Sequence, residues 1–337
     1  MNMPDASVII IAYNRREFLK EAVLSVSSQN LFGLEIEVMV VKNFLEPDID
    51  NLIVRFGYTS YVLDSDEPSG SYLAYAMKRA HSDIICLLDD DDVFFPDKVG
   101  VVLSAFKNDP DLVYYHNRNI KIDKNGRPLD GSILGKKYHP IMFSGKKGLG
   151  NKLKLMLALN RRGDINNSCI SFRRSILDLP DDPLSGRRSI DIAIFSLALD
   201  SKKKMLIDSK TMTKLRIHDS FSHFAGCDKS AKTLEYNVLT IRDYNDLRMK
   251  LKSANARSYL YCNSLSARIN SFTVSGRRTD LTLREFFQYF MSFRFMRFRY
   301  FLVTLFALLI STTFPSINSK VFQIYSEYEN NMYKLTN

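Results

Sequence analysis

A chain of 337 residues with 45% hydrophobic content is long enough for one large domain or two, and too apolar for a disordered polymer. Its net charge of +10 is lopsided: residues 1–200 carry 25 Lys+Arg against 27 Asp+Glu and residues 201–337 carry 22 against 10, which points to an anionic partner for the C-terminal part. Four widely spaced cysteines, Cys86, Cys169, Cys227 and Cys262, form no CxxC pair and exclude both a disulfide framework and a cysteine zinc site.

The first residues, Met1 to Ser7, are polar, and the apolar run Val8–Ala12 is too short for a signal-peptide core, so the chain is expected to begin in the cytoplasm. Ser7–Ala12 is a β-branched run and predicts the first strand. Tyr13-Asn14-Arg15-Arg16 turns the chain, with Asn14 as a plausible N-cap for a helix over Glu17–Ser28 whose Phe18, Leu19, Ala22, Val23 and Val26 share a face. Ile36–Val41 predicts a second strand and Tyr61–Leu63 a short third, closed by Asp64. Tyr72–Ala80 predicts the next helix and Asp83–Leu88 the next strand. Strand and helix in alternation mean βαβ units and a parallel sheet.

The stretch Ile84–Pro96 organises the rest. Five apolar residues with no period-two alternation read as a strand buried on both faces, and four aspartates, Asp89 to Asp92, follow at its carboxyl end. Ligands of open α/β sheets bind at that end. Adjacent carboxylates repel unless a cation sits among them, and all-oxygen ligation suits Mg²⁺ or Mn²⁺. Read alone, the acids fit a solvated acidic turn equally well. A helix is expected over Pro96–Phe106, with strands at Asp111–Tyr115 and Ile120–Pro128. Residues 131–152 read as a Gly- and Lys-rich mobile loop and, with Asn166–Arg174, as walls of an acceptor site. Ser189-Ile190-Asp191 opens an apolar helix over Ile192–Leu199. Strands follow at Lys204–Ile207 and Lys214–His218.

The strand–turn Ser7–Arg15, Leu88-Asp89-Asp90-Asp91-Asp92 with Pro96, the helix opened by Asp191, and Arg216-Ile217-His218 together resemble the inverting glycosyltransferases of family 2, over about residues 5–225. The resemblance implies the GT-A fold: a Rossmann-like, mostly parallel sheet flanked by helices. It also implies a sugar transfer from a nucleotide-sugar, a UDP- or GDP-sugar, to a glycan or lipid-linked acceptor. Residue by residue, it puts Asp89 and Asp90 near the donor, Asp91 on the metal with His218 completing the site, Asp191 as catalytic base, and Ala12, Tyr13, Asn14 and Arg15 beside the nucleotide. His218 also fits an ordinary histidine at a strand end, and Asp191 or Ser189 an N-cap. Two departures stand out. Lys42-Asn43-Phe44-Leu45 replaces the Asp-Asp-Gly-Ser that many members carry, leaving Asn43 and Asp64 as candidate base contacts. Leu73-Ala74 stands where an Arg-Asn pair is usual. The runner-up readings are transfer onto polyprenyl phosphate and a non-catalytic, membrane-associated relative.

Residues 226–337 read as a basic, aromatic-rich helical extension to a catalytic domain over 1–225. Its apolar run Tyr300–Phe314 falls short of the ~20 residues a membrane span needs. Arg294, Arg297 and Arg299 precede it among aromatics. This pattern predicts helices lying on the cytoplasmic face of a membrane, arginines on anionic headgroups, or else a buried helix packing on the catalytic domain or on a second subunit of a homo-oligomer. The run is too apolar for a nucleic-acid clamp, so no nucleic acid is expected.

Overall fold

The computed structural model describes residues 3–129, 139–218, 229–275 and 280–313. The first half alternates as expected: β1 (Ala6–Ala12), α1 (Leu19–Ser27), β2 (Ile36–Lys42), α2 (Pro47–Arg55), β3 (Thr59–Val62), α3 (Ser69–Met77) and β4 (Ile84–Asp89). After the acids come β5 (Val93–Phe94), α4 (Lys98–Asn108), β6 (Leu112–Ile122), β7 (Ile141–Ser144), α5 (Leu149–Asn160), β8 (Ile170–Arg173), α6 (Ile190–Ser201) and β9 (Lys204–Arg216). The C-terminal part is helical: α7 (Lys229–Lys250), α8 (Ala254–Ser275), α9 (Leu283–Phe290) and α10 (Phe298–Thr313).

These strands form one sheet in the order β3-β2-β1-β4-β8-β6-β9-β5, with β7 paired to β9. The run β3-β2-β1-β4 is parallel, as the βαβ reading requires. Beyond β4 antiparallel strands join the parallel ones: β8 runs antiparallel to both β4 and β6. β1 and β4 are apolar throughout because both faces are covered. Ile9, Ile11, Ile85 and Leu87 meet α3 and α6 on one side; Val8, Ile10, Cys86 and Leu88 meet α1 and α4 on the other.

Four expectations are corrected. Helix α2 was not foreseen, since its buried contribution is only Ile49 and Ile53. The expected mobile loop 131–152 contains β7 and the start of α5; residues 130–138 lie outside the described residues. The two short strands expected at each of 111–128 and 204–218 are single long strands, β6 and β9, paired in parallel through two irregular registers around Arg118. Asn14 does not cap α1, which begins after Phe18. Cys86, Cys169 and Cys262 are buried free thiols, and Cys227 lies outside the described residues.

The division at residue 225 does not divide the core. Leu247 of α7, Leu251 just after it, and Ala256, Tyr259 and Leu260 of α8 pack in the same cluster as Ile192, Phe195 and Leu199 of α6. A separate cluster joins the far end of α8 to α9 and α10 through Leu265, Ile269, Tyr289, Phe301 and Leu308. Among the described residues, no helix is long and apolar enough to cross a membrane.

Candidate active site

The site lies at the carboxyl ends of β1, β2 and β4. β1 has β2 on one side and β4 on the other, so the crevice between β1 and β4 is the point where the strand order reverses. The loop after β1 carries Tyr13, Asn14 and Arg15, just beyond the buried Ala12. Asn14 takes a left-handed backbone (φ 55), which asparagine tolerates better than most residues. That turn makes a reciprocal pair: the Asn14 N–H donates to Asn43 Oδ1 at 2.8 Å, and Asn43 Nδ2 donates to Asn14 Oδ1 at 2.7 Å. Tyr13 stands half exposed, its hydroxyl donating to Asp66 at 3.4 Å and its ring edge-on to Tyr72. Asp64 lies exposed beyond β3, on the same side of the sheet end. The neighbouring Lys42 takes no part. It is wholly buried, donates to the Phe44 carbonyl at 2.6 Å and pairs with Asp50 of α2 at 2.8 Å.

At the end of β4 each acid has its own environment. The Asp89 N–H donates to Ser168 Oγ at 3.0 Å, and Asn167 Nδ2 donates to its carboxylate at 3.1 Å. Burial, then the charge of Asp91, pushes Asp89 up to about 8. Asp90 accepts from Arg15 Nε at 3.1 Å; burial still outweighs that cation and raises its pKa. Asp90 Oδ2 is buried with no hydrogen-bond partner. Asp91 faces Arg15 at 3.0 Å and His218 Nε2 at 2.8 Å; burial works against its ionisation, but His218 and Arg15 overcome it and hold the carboxyl low. Asp92 accepts from the Arg216 N–H at 3.0 Å, and burial followed by the charges of Asp91 and Asp89 raises it well above the usual carboxylate range.

Among the described residues, Asp89, Asp91 and Asp92 bring one oxygen each to within 4.8 Å of one another. Three hard oxygen donors, two of them pushed toward protonation by burial and then by neighbouring carboxylates, fit a divalent cation of the Mg²⁺ or Mn²⁺ type. His218, expected to complete such a site, touches Asp91 but not the other two acids among the contacts found. Arg216 was read only as part of a motif, yet it ties the site together. Its guanidinium donates to the Asp91 carbonyl at 2.9 Å and the Lys124 carbonyl at 2.9 Å, and pairs with Glu21 of α1 at 2.6 Å.

Asp191 sits in the first turn of α6, whose N-cap is Ser189. Its carboxylate accepts from the Ile192 N–H at 2.8 Å and from the Asn166 N–H at 3.2 Å. Burial pushes Asp191 up to about 6; its two backbone donors and Arg297 pull against burial, and Asp164 adds to it. Thus the loop 164–168, entering β8, touches Asp191 through Asn166 and Asp89 through Asn167 and Ser168. Sequence reading singled out this segment as a wall of the site without foreseeing those bonds; the signal was three polar residues running into an apolar strand. Asp164, Asp66, Tyr259 and Glu21 carried no signal. Arg297, expected on lipid headgroups, instead turns inward to lie 3.9 Å from Asp164.

A GT-A-like sheet with an acidic cluster at its reversal point and a further carboxylate, Asp191, tied to that cluster through one loop is the arrangement of a glycosyltransferase. A model of glycosyl transferase family 2 matches residues 7–178, and the chain belongs to that family. It is similar to an uncharacterized glycosyltransferase of Nostoc sp. (strain PCC 7120), 23% identical over 258 residues, covering 73% of this chain and 76% of that one. A second, from Rickettsia typhi (strain Wilmington), is 23% identical over 226 residues, 64% and 65% of the two chains. Among solved structures, S. aureus TarS 1–349 in complex with UDP-GlcNAc shares the fold, with a TM-score of 0.53, 14% identity, and coverage of 98% of this chain and 92% of that one.

Proposed function

We propose that the enzyme transfers a sugar from a UDP-sugar to a hydroxyl group of a glycan or lipid-linked acceptor, with inversion at the anomeric carbon. One observation carries this reading: the loop 164–168 binds Asp191 and Asp89 at once, so a single loop ties a base to the donor acids. In this reading Asn14 and Asn43 hold the nucleobase, with Tyr13, Asp64 and Asp66 at its edge. Asp89, Asp91 and Asp92, with His218 against Asp91, hold Mg²⁺ or Mn²⁺, which when bound supplies Lewis-acid neutralisation of the leaving diphosphate. Arg15 adds a cation from the protein beside that charge. The UDP assignment is supported by TarS, whose structures are described with UDP-GlcNAc and with UDP; a GDP-sugar is the competing donor.

Asp191 takes the proton of the acceptor hydroxyl. The oxygen's electron pair forms the new bond to the anomeric carbon, and the bond to the diphosphate breaks with its pair departing on phosphate. A carboxyl poised near 6 is ionised at neutral pH and more basic than an ordinary aspartate, which suits this step. A phosphate acceptor would need no such base, so Asp191 favours a hydroxyl over polyprenyl phosphate.

The same reading places the enzyme on the cytoplasmic face of a membrane. Leu283, Phe287, Phe290, Phe298, Leu302, Phe306 and Leu309 are exposed along α9 and α10, in the part of the chain that carries the basic excess. Such a face suits an interface of apolar chains and anionic headgroups. Flotation with vesicles containing phosphatidylglycerol tests it. Binding should be lost when Phe287, Phe290 and Phe306 become serine, and equal flotation of that variant would refute it.

Thermal melting against UDP, GDP, CDP and dTDP, each with and without Mn²⁺, tests the donor. A ligand at 100 times its Kd stabilises a fold by about 2.7 kcal/mol. A shift with UDP that requires Mn²⁺ supports the proposal. A shift with GDP alone moves the donor class, and no shift with any nucleotide favours a non-catalytic relative.

A further inference from the structure

The residue that deprotonates the acceptor, on the reading above, is held on both sides by the C-terminal helices. On the approach to α6, Arg187 donates to the Asp243 carbonyl at 2.6 Å and to the Asp246 carboxylate at 2.7 Å. The Arg188 N–H donates to Asp243 Oδ2 at 3.1 Å, and the Tyr244 hydroxyl donates to Ser189 Oγ at 3.3 Å. All three partners belong to α7. On the other side stands the loop whose Asn166 N–H binds Asp191. Two residues before Asn166, the buried Asp164 accepts from the Tyr259 hydroxyl of α8 at 2.8 Å. Its second oxygen, Oδ1, is buried without a hydrogen-bond partner, and Arg297 Nε stands 3.9 Å from it. Arg297 lies in the short link between α9 and α10.

We propose that the C-terminal helices complete the catalytic centre, and that Arg297 is a positioning residue that acts on Asp191 through Asp164. The inference rests on the reading of Asp191 as the base. A chain bonded at Asp243, Tyr244 and Tyr259 fixes the backbone around the carboxylate, and a cation over Asp164 keeps that buried charge from raising the base further. The charged and titratable groups facing Asp191 are Asp164 from the loop before β8, Arg297 from the link, and Tyr114, Tyr236 and Tyr244 from β6 and α7. Of these, Asp164 and Arg297 act on Asp191 in opposite directions, Asp164 raising it and Arg297 lowering it.

That opposition sets the test. The pH dependence of kcat is measured with UDP-sugar and Mn²⁺ for the full-length enzyme and for Arg297→Gln, Arg297→Lys, Asp164→Asn and Asp191→Asn, with the Mn²⁺–UDP melting shift confirming a folded donor site in each. Arg297→Gln should lower kcat about tenfold or more, leave the donor KM within about twofold, and move the acidic limb upward by about half a unit. Asp164→Asn should move the limb downward, and Arg297→Lys should restore most of the rate. A residue that merely supports the fold would not move the limb in opposite directions at these two positions. An unmoved limb with kcat within about twofold in Arg297→Gln overturns the inference, as does a Lys variant no better than Gln. If Asp191→Asn abolishes transfer while the Arg297 and Asp164 variants behave as wild type, this inference alone falls. If Asp191→Asn keeps its rate, the base assignment falls and takes this inference with it.

Discussion

Arg15 Nη2 lies 3.0 Å from Asp91 Oδ2, joining the turn after β1 to the acids after β4 across the point where the strand order reverses. His218 Nε2 closes on the same oxygen at 2.8 Å and stands 3.0 Å from Arg15 Nη1, so two basic side chains meet at one carboxylate. Asp91 is therefore the acid whose ionisation the fold defends. Asp91→Asn is expected to remove the Mn²⁺-dependent part of the UDP melting shift. Loss of several kcal/mol of charge stabilisation would lower kcat/KM by on the order of 10²–10³-fold. Steady-state kinetics across a Mn²⁺ titration check this, and a variant that keeps the wild-type metal dependence would exclude Asp91 as a ligand.

For Asp191, replacement by asparagine is expected to lower kcat by about 10²–10⁴-fold while the UDP melting shift persists. The sign of the pH dependence follows from its raised pKa of about 6. Below that value the carboxyl is protonated and cannot accept, so activity falls as the medium is acidified through pH 6 and levels off above it. The log of kcat against pH should rise with unit slope on the acidic side.

The Asn14–Asn43 pair predicts a binding defect without a chemical one. Asn43→Ala removes a side chain that both donates and accepts, and should weaken UDP by about 1–2 kcal/mol, a factor of roughly 5–30, with kcat at saturating donor unchanged. Calorimetry with UDP measures it. Lys42, one residue earlier, should behave oppositely. Lys42→Met strands Asp50 beside a buried stem and is expected to cost about 3 kcal/mol in urea unfolding, leaving the preference among nucleotides as it was.

Gly70 predicts a coupling between packing and catalysis. Its N–H donates to the Arg187 carbonyl at 2.9 Å, and a Cβ there would stand 2.2 Å from the Leu184 carbonyl and 2.6 Å from the Arg187 carbonyl. Gly70→Ala must push away the segment that leads to Asp191. It should destabilise the fold by about 3 kcal/mol and lower kcat more than it changes the donor KM. Paired denaturation and kinetic measurements decide this, and a variant with wild-type values of both would show that the 184–187 segment yields freely.

β1, β2 and β4 were legible because their middles are buried on both faces, so the apolar runs Val8–Ala12, Val38–Val41 and Ile84–Leu88 mark them, and the acids at the end of β4 mark the carboxyl edge. β6 and β9 were each split in two because their middles are polar. Asn117, Arg118 and Asn119 interrupt one, and Asp208, Ser209 and Lys210 the other. Those groups are satisfied by partners far away in sequence: Asn117 donates to Thr213 at 2.9 Å, and Asp208 accepts from Tyr115. No local pattern encodes such a bond. The same limit hid the inward turn of Arg297, since an arginine among aromatics reads alike whether it faces a headgroup or a buried aspartate. Lys42 was noticed as a departure at the nucleotide edge, but its burial against Asp50 depended on α2, a helix too polar to stand out.

The partners of the acids are made long after the acids themselves. Asp92 waits for the N–H of Arg216, 124 residues on, and Asp91 for His218, 127 residues on. A ribosome therefore releases β1 to β4 and their carboxylates well before β9, with Arg15 already synthesised. The stretch that matches the family, residues 7–178, ends before Asp191, Arg216 and His218. An excised fragment of that length would carry the acids without the strand that supports them, and a nascent chain lacks these two partners of the acids until residue 218 has cleared the exit tunnel.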